Sequence, residues 1–369
     1  MKILHLPLWA PNKNDIQLGN FIQEHISLSA INNEVHSLVF FTDENIENIK
    51  IESSADVTRI YYPKSRNRII NFFRFLKAAK IGVEELKKKG FEPELVHCHV
   101  AGRNLWLAQK YYSNKPIVLS EHWSGYLNGN FESQSYLVKK YLIRKINRCD
   151  IVTSVSAHLA EGMRFQGVKN RILLLQNVIR CREKLDLNKS EGINFLIVAD
   201  LLDEVKNISG AITAMHHLHS KYPEIKLYII GDGPDSDALK NTVKALGLEA
   251  KISFLGRLVQ TEVQNHLLNA DCTIVNSNYE TYSMVTIESI LTGVPVIATR
   301  CGGPEQFVNT QNGFLIPKSD SVSLEKAMEE MIQNRMDFNP KAVRESLSED
   351  NSVDKVEKDL TEIYLGLTE

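Results

Sequence analysis

Short apolar runs alternate with stretches of helical periodicity along almost the whole chain, and this alternation limits the fold more than any other feature of the sequence. The runs are rich in Val, Ile and Leu. They read MKILHL, EVHSLVF, TRIYY, LVHCHV, PIVLSEH, DIVTSVS and RILLLQN in the first half, and INFLIVAD, KLYIIGDG, ISFLG, CTIVNS, VPVIAT and NGFLIP in the second. Strands that alternate with helices predict parallel sheets covered by helices, the α/β class.

The length of 369 residues predicts two domains of ordinary size. The charged stretch 179–192, IRCREKLDLNKSEG, has no clear period, and we interpret it as the linker between two Rossmann-like domains. The last segment, DKVEKDLTEIYLGL, carries apolar residues at helical spacing, and Asn351 and Ser352 are candidate caps. This pattern alone does not assign the final helix to either domain.

The composition is typical of a soluble globular protein, with 43% hydrophobic and 24% charged residues. No apolar run reaches the roughly 18 uncharged residues that a spanning helix needs. The start, MKILHLPLWAP, lacks a full signal-peptide layout and reads better as a first strand from Lys2 to Leu8. Five scattered cysteines argue against a disulfide framework, and none are spaced as zinc ligands. We therefore expect a cytoplasmic protein.

The first half of the chain is cationic. Residues 1–180 contain 25 Lys and Arg against 16 Asp and Glu, which suggests an anionic partner. Segment 64–89 holds nine of these cations, segment 136–148 holds five, and apolar residues at 69, 72, 73, 76, 79, 83 and 86 form one helical stripe. Either this helix packs on the sheet with a solvated basic face, or it docks on anionic membrane headgroups. No recognition motif accompanies the charge, so a nucleic-acid partner is not expected.

Two glutamates flank the start of a predicted helix in NYETYSMVTIESILTGVPVIATRCGG. Glu280 follows the strand CTIVNS, and Glu288 lies within the helix, which we expect to begin near Thr281 to Ser283. Ligands of open α/β sheets bind beyond the carboxyl ends of strands, and the amides of a first helical turn favour a phosphate. One extended ligand made of ribose, diphosphate and sugar would fit both carboxylates. The alternative is that Glu280 is a loop acid and Glu288 a solvated helix residue.

The same stretch resembles the E-x7-E signature of the retaining GT-B glycosyltransferases of family 4, including the Gly-x-Pro-Val that follows. Other segments resemble family motifs in the same order along nearly all of the chain. They are GNFIQEHISLSAINNEVHSLVF, LVHCHV, SEHWSG, IVTSVSAHLAEGM, LYIIGDGP, CGGPEQFVNTQNGFLIP and SVDKVEKDLTEIY.

The resemblance implies two Rossmann-like domains facing a cleft. Residues 1–178 would form the acceptor domain, 193–350 the nucleotide-sugar domain, and the last helix, 352–369, would cross back to the first. The implied reaction is sugar transfer from a nucleotide-sugar to a glycan or lipid-linked acceptor with retention, as in bacterial surface polysaccharide assembly. Two other classes stay open: a GT-B sugar-nucleotide epimerase and a non-catalytic module that binds nucleotide-sugars.

The resemblance also assigns residues. His122, Lys206 and Glu280 are the candidate catalytic group: His122 faces the sugar, Lys206 the diphosphate, and Glu280 orients the sugar. Donor contacts are expected from Gly19, Arg257, Glu288 and the helix start, Thr281, Tyr282, Ser283, Met284 and Val285. Acceptor contacts are expected from Asn20 and Trp123, although Trp123 equally suits packing, His122 suits a core histidine, and Arg257 suits a solvated position. Asp200 stands where the family usually has an arginine aimed at the phosphates.

Several other polar positions have structural interpretations. Gly302 and Gly303 suit a tight turn that supports the donor pocket, and Ser154 and Ser156 suit helix caps. His216 and His219 share a helical face, yet a metal there is not expected. Asp235 and Asp237 are better explained by capping than by metal binding. We therefore predict no metal and no cofactor, the nucleotide-sugar being a substrate.

Overall fold

The computed structural model describes residues 1–12, 18–184, 192–347 and 352–367. Within these ranges the chain forms two compact units. The first contains the described residues up to Val178 together with the last helix, and the second contains those from Ile179 to 347. Each unit has one sheet with its own core.

The first unit is built on an eight-stranded sheet. Its strands are β1 (Lys2–Pro7), β2 (Glu34–Asp43), β3 (Lys50–Ser53), β4 (Val57–Pro63), β5 (Leu95–His99), β6 (Ile117–Glu121), β7 (Ile151–Ser154) and β8 (Ile172–Leu174). They lie in the order β3-β4-β2-β1-β5-β6-β7-β8. Its helices are α1 (Asn20–Asn32), α2 (Arg68–Lys88), α3 (Arg103–Tyr111), α4 (Tyr136–Ile146) and α5 (Ala157–Phe165).

The prediction of a parallel sheet holds for seven of these strands, and β3 is the exception. It pairs antiparallel with β4 at the edge of the sheet, Lys50 opposite Tyr61. Its sequence, KIES, contains one apolar residue and is largely exposed. An edge strand buries few side chains, and its charged residues discourage pairing with another strand. The sequence of β3 therefore contains no apolar run from which a strand could be predicted.

The second unit has a six-stranded sheet in which every pair is parallel. Its strands are β9 (Asn194–Val198), β10 (Lys226–Ile230), β11 (Ile252–Gly256), β12 (Cys272–Val275), β13 (Val296–Thr299) and β14 (Gly313–Ile316). Its helices are α6 (Asp203–Lys206), α7 (Ile208–Leu218), α8 (Ser236–Ala245), α9 (Gln260–Asn269), α10 (Met284–Thr292), α11 (Ser321–Asn334) and α12 (Pro340–Glu345). All six predicted strands are confirmed.

The strand order of the second sheet is β11-β10-β9-β12-β13-β14. From β9 the chain first builds outwards to β11 and then returns to place β12 on the other side of β9. This reversal is a topological switch point, where the loops that leave two neighbouring strands diverge and leave a crevice. The segments that follow β9 and β12 therefore meet at one edge of the sheet.

The final helix, α13 (Val353–Leu365), belongs to the first unit. Its apolar face buries Val356, Leu360, Ile363 and Tyr364 in the core cluster that includes Ile3, Leu28, Leu95 and Val118. The Oγ of Ser352 caps the helix by accepting from the amide of Lys355 at 3.2 Å. The predicted amphipathic helix is thus confirmed, and Asn351 lies outside the described residues.

The expected linker is described from 179 to 184, and this part packs on the second unit. The buried amine of Lys184 donates to the carbonyl of Ala270 at 2.6 Å, just beyond the end of α9. The amide of Lys184 donates to the carbonyl of Thr292 at 2.7 Å. The last carbonyls of a helix lack partners within the helix and favour a nearby cation. This explains why Lys184 fixes this charged stretch against the ends of two helices of the second unit. Residues 185–191 of the expected linker lie outside the described ranges.

The apolar stripe of 64–89 packs on the sheet only in its second half. Ala79, Val83 and Leu86 are buried, whereas Ile69 is 67% and Phe73 63% exposed. Of the two alternatives, packing of the apolar face on the sheet therefore holds for the later turns of α2 but not for its first turns, whose apolar side chains are exposed. No helix in the described part of the chain is long and apolar enough to span a membrane.

Candidate active site

Lys206 and Glu280 form an ion pair at the switch point of the second sheet. Lys206 ends α6 in the segment after β9, and Glu280 lies in the segment after β12. The Lys206 Nζ and Glu280 Oε1 atoms are 2.7 Å apart, although 74 residues separate them in sequence. Their side chains are 23% and 15% exposed. The structure thus brings two predicted catalytic residues into direct contact.

The surrounding backbone fixes both segments. The amide of Asn278 donates to the carbonyl of Val205 at 2.8 Å, and the side-chain amide of Asn276 donates to the carbonyl of Asn207 at 2.9 Å. The hydroxyl of Ser277 donates to Glu280 Oε1 at 2.8 Å, the same atom that accepts from Lys206. The carboxylate is therefore aimed by two donors before any ligand contributes.

Lys206 keeps its positive charge despite its burial. Burial opposes the charged amine, but the attraction and hydrogen bond of Glu280, with a further contribution from Asp200, outweigh it. The pKa of Lys206 is therefore raised above its usual range. A partly buried pair like this costs desolvation, and it persists because a partner and hydrogen bonds compensate both charges.

The helix after Glu280 begins later than expected. Its first residue is Met284, and Ser283 precedes it with φ of 67°, in the left-handed region. A non-glycine residue in this conformation is strained by about 1–2 kcal/mol. Strain of this kind, held in place by surrounding structure, is common at ligand sites. After Ser283, α10 begins in the segment that follows β12, and the positive end of its dipole belongs to that segment.

The side chains of the five residues expected to contact the donor at this helix start differ in burial. Tyr282 is buried, its ring packed edge-on against Phe307 at 5.1 Å between centroids. Ser283 is also buried, its hydroxyl 2.7 Å from that of Thr286. Thr281, Met284 and Val285 are half-buried. A ligand here would meet backbone more than side chains.

Glu288 lies just over one turn into α10. Its Oε1 accepts from the side-chain amide of Gln260 at 2.9 Å. Burial raises the pKa of the Glu288 carboxyl to about 7, an effect that the Gln260 hydrogen bond partly offsets. The group therefore titrates near neutral pH, and only its ionised form can accept two hydrogen bonds from a diol without donating a proton.

Asp200, the departure from the family pattern, pairs with Arg257. The Asp200 Oδ1 and Arg257 Nη2 atoms are 3.0 Å apart, and the side chains are 70% and 42% exposed. An exposed pair of this kind contributes little stability. Its consequence is electrostatic, because the guanidinium that follows β11 offsets the acid that stands where the family usually has an arginine.

The predicted residues of the first unit cluster near the ends of β1 and β6. Gly19 has φ of 72° and precedes α1, and a Cβ there would lie 2.7 Å from the carbonyl oxygen of Trp9. Asn20 is exposed as the first residue of α1. Trp123 is half-buried, with its ring 5.3 Å from that of Tyr126, a packing contact that leaves part of the residue exposed.

His122 follows β6 and is 6% exposed. Neither ring nitrogen has a hydrogen-bond partner within the described ranges, and the ring lies 4.6 Å from that of Phe21. Burial, with a further contribution from His25, holds the pKa of His122 well below its usual range. The ring is therefore neutral at physiological pH and offers one donor and one acceptor.

Sequence reasoning missed Glu121, which positions His122. Its buried carboxylate accepts from the amides of Ala101, His122 and Trp123 at 3.0, 2.9 and 3.0 Å. The signal was a charged residue at the end of the apolar strand PIVLSEH. Sequence reasoning also missed a group of buried histidines around His99, signalled by the alternation in LVHCHV that puts His97 and His99 on one strand face.

The helix-cap predictions were partly right. Ser156 caps α5, its Oγ accepting from the amide of Leu159 at 3.1 Å. The prediction for Ser154 is wrong, because its hydroxyl donates to the carbonyl of Ser156. Asp235 precedes α8 without capping it, and its carboxylate accepts from the amide of Asp203 at 2.7 Å. This hydrogen bond connects the segment that follows β9 to the segment that follows β10.

The turn and histidine predictions concern two other places in the second unit. Gly302 has φ of 110°, a conformation that favours glycine, and a Cβ on Gly303 would lie 2.7 Å from the backbone of Tyr282, so Gly303 allows the two backbone segments to approach closely. The rings of His216 and His219 stack on α7 and the following residue, 5.5 Å apart.

Two family models match the chain. The model described as Glycosyl transferases group 1 matches residues 181–350, and Glycosyltransferase Family 4 matches residues 27–183. The glycogen synthase of Mycobacterium tuberculosis is 24% identical over 307 residues, which cover 79% of this chain and 72% of that protein. The lipopolysaccharide core biosynthesis glycosyltransferase LpsD of Rhizobium meliloti is 27% identical over 223 residues, covering 58% and 62%.

Solved structures share the fold. Sucrose-phosphate synthase from Thermosynechococcus elongatus superposes with a TM-score of 0.79 at 17% identity, covering 100% of this chain and 99% of that one. HepE from Anabaena, in complex with UDP and glucose, superposes with a TM-score of 0.74 at 16% identity, covering all of both chains. Both family models and both sheets point the same way: the chain belongs to the group 1 and family 4 glycosyltransferases and has the GT-B fold.

Proposed function

We propose that this glycosyltransferase moves a sugar from a nucleotide-sugar to a glycan or lipid-linked acceptor, with retention at the anomeric carbon. The observation that carries the proposal is the Lys206–Glu280 ion pair beside the start of α10. A relative named for lipopolysaccharide core biosynthesis supports a role in bacterial surface polysaccharide assembly. A structure of the same fold that holds UDP and glucose supports a nucleotide-sugar as the donor.

The second unit would hold the donor. The amine of Lys206 and the positive end of α10 would stabilise the charge that builds on the departing diphosphate. Glu280 would hold Lys206 in place and accept from a sugar hydroxyl with its other oxygen. Glu288 would accept both hydroxyls of the ribose. Arg257 would keep Asp200 from repelling the phosphates.

The family resemblance assigns the remaining contacts to residues of the first unit. His122 would hydrogen-bond the sugar near the reacting carbon, since its ring is neutral and its nitrogens have no partner in the described chain. Gly19, Asn20 and Trp123 would contact the acceptor or the donor phosphates. The acceptor hydroxyl would attack from the face that the diphosphate leaves, and a diphosphate oxygen would take its proton. No step in this scheme requires a metal or a cofactor.

We also propose that the first unit docks on an anionic membrane surface. The first turns of α2 expose Ile69, Ile70, Phe72 and Phe73, and α4 exposes Tyr136, Leu137, Val138 and Tyr141. Cations accompany both sets, including Arg66, Arg68, Lys140 and Arg144. The helix α3 connects them, since Trp106 packs on Phe75 of α2 and Gln109 donates to Lys145 of α4. Apolar side chains ringed by cations are the chemistry of an interfacial anchor.

Replacing Lys206 tests the transfer proposal. We expect Lys206→Met to lower kcat for transfer to acceptor about 100-fold or more, because the amine acts on charge that develops in the transition state. The measurement is the rate at which nucleotide is released from a panel of nucleotide-sugar donors in the presence of a glycan or lipid-linked acceptor. The anomeric configuration of the product then tests retention. Lys341→Met, an exposed lysine on α12, is the matched control and should keep full activity.

Other outcomes of that assay would contradict the proposal. Conversion of the donor to another sugar without acceptor would indicate an epimerase. Nucleotide binding with no turnover by the wild type would indicate a binding module. Equal transfer rates for Lys206→Met and Lys341→Met would show that Lys206 takes no part in the reaction.

The pKa of Glu288 predicts a pH-dependent affinity for the nucleotide. If the ionised carboxylate accepts the ribose hydroxyls, binding is strong above pH 7 and weakens as the pH falls through about 7. Calorimetric titration should show Kd about tenfold higher at pH 6 than at pH 8, the ratio expected when only the ionised form binds. Glu288→Gln should bind more weakly and lose this pH dependence. The same pH dependence in Glu288→Gln would assign it to another group.

Vesicle flotation tests the membrane proposal. The protein should float with phosphatidylglycerol vesicles at low salt and dissociate at high salt. Phe72→Ser with Phe73→Ser should weaken binding about tenfold or more, since two apolar contacts are lost. Phe165→Ser, at a site that is 86% exposed on α5, is the matched control and should bind normally. Failure of the wild type to bind anionic vesicles at low salt would refute the proposal.

A further inference from the structure

Five buried histidines converge in the first unit. His5 lies on β1, His25 on α1, His97 and His99 on β5, and His122 after β6, and each is at most 6% exposed. Two sets of three have ring nitrogens within 4.8 Å of one another: His5 with His97 and His99, and His25 with His99 and His122. So many imidazoles in an apolar interior need partners, since an unsatisfied buried polar atom costs about 1–3 kcal/mol.

Two members of the first set, His5 and His97, are already satisfied by the protein. His5 reaches His99 Nε2 at 3.1 Å and the Ser29 hydroxyl at 3.1 Å. His97 reaches the Tyr364 hydroxyl at 2.7 Å and the Ser120 hydroxyl at 2.8 Å. Both nitrogens of His5 and of His97 are thus used in hydrogen bonds, and neither ring has a lone pair to spare for a ligand.

The second set is different, because each of its rings has a nitrogen without a partner. Across the ranges that the structure describes, His25 Nδ1, His99 Nδ1 and both nitrogens of His122 have none. Burial keeps these rings neutral, as shown by the pKa of His25, which is lowered to about 4. Three neutral imidazoles therefore offer nitrogens that the protein itself does not use.

A hydrogen bond on the opposite side of the ring sets the tautomer of His25, and the bond between His99 and His5 is compatible with the same arrangement in His99. His25 Nε2 lies 3.0 Å from the carbonyl of Gln176, which can only accept, so the proton is on Nε2 and Nδ1 carries a lone pair. His99 Nε2 can donate to His5 Nδ1, while His5 Nε2 donates to Ser29, which leaves His99 Nδ1 with a lone pair. Histidines that bind a metal are held in this way, by donating the other ring N–H to a carbonyl or polar group.

We propose that His25, His99 and His122 form a binding site for a divalent transition metal, with Zn²⁺ as the best-suited ion. Three imidazoles and one open position for water or an anion are a donor set that Zn²⁺ accepts, at Zn–N distances of about 2.0–2.1 Å. Such bonds place the ligand nitrogens about 3.3 Å apart in a tetrahedron. Rotation of the rings, led by His122, which has no hydrogen bond to break among the described residues, would bring them from within 4.8 Å to that spacing.

The inference goes beyond the proposed function but shares one residue with it. The transfer scheme uses no metal and needs a nitrogen of His122 for the sugar, so an ion held by His122 would compete with that contact. Glu121, which directly precedes His122, accepts from three backbone amides and the Tyr126 hydroxyl, so it does not compete for the ion. The site would carry the full charge of the ion, which favours hydroxide or another anion in the open position.

Metal binding by the full-length protein tests the site. The protein is stripped with a chelator and dialysed, and Zn²⁺ stoichiometry is measured by equilibrium dialysis at pH 8. We expect one Zn²⁺ per chain, and Co²⁺ in its place should give the strong visible absorption of a site with few ligands. His25→Ala and His122→Gln should each weaken Zn²⁺ binding about tenfold or more. His122→Gln should fold normally, since its ring bonds to nothing in the described chain.

Two control variants separate this site from other histidines. His36→Gln changes a buried histidine whose nitrogens are both hydrogen-bonded, to Ala55 and Thr58, and should leave Zn²⁺ binding intact. The double variant His216→Ala with His219→Ala removes the histidine pair of the second unit and should also leave it intact. Absence of Zn²⁺ binding, or binding that is lost in the double variant and kept in His122→Gln, would overturn the proposal.

Discussion

The contact between Lys206 and Glu280 depends on a single topological fact: β9 and β12 are neighbours in the second sheet. The chain builds β10 and β11 on one side before it returns to the other side of β9. Without that return, β12 would lie beyond β11, and the segments that carry Lys206 and Glu280 would be separated by two further strands. Parallel pairing puts the carboxyl ends of both strands at the same edge, so a 2.7 Å ion pair forms between distant parts of the sequence.

Around this pair the structure uses strain and close packing to keep backbone near the site. Ser283 adopts a left-handed conformation at the start of α10. Gly303 allows the backbone of Tyr282 to approach, and the amide of Gly303 donates to the carbonyl of Glu280 at 3.0 Å. These features place a helix N-terminus, a cation and a carboxylate together. Together they suit a ligand in which a diphosphate is joined to a hydroxyl-rich group, better than they suit a diphosphate or a hydroxyl-rich group alone.

Much of the fold was predictable from the sequence because buried parallel strands are continuous apolar runs. Edge strand β3 was not, because KIES buries too little to leave a hydrophobic signal. The first turns of α2 satisfied the same helical period as its packed turns, and period alone does not show whether a surface covers them. The resemblance supplied Lys206 and Glu280 as site residues, but their direct contact follows from strand order.

The buried polar groups were the hardest to predict. Glu121, His5, His97 and His99 lie on apolar strands, where a polar residue can mark the end of a strand as easily as a buried functional position. Asp235 was expected to cap α8 because it directly precedes that helix. Its carboxylate instead accepts from the amide of Asp203, which is distant in sequence. Each of these residues acts through partners far away in sequence, and single-sequence patterns report mainly on local neighbours.

The central claim is that the Lys206–Glu280 pair marks the place where the donor diphosphate binds. Calorimetric titration of nucleoside diphosphate against the matching monophosphate, with wild type and Lys206→Met, tests it most directly. The account predicts that the wild type prefers the diphosphate and that Lys206→Met loses most of that preference, while its affinity for the monophosphate changes little. A variant that keeps the full preference for the diphosphate would show that the phosphates bind elsewhere and would contradict the account.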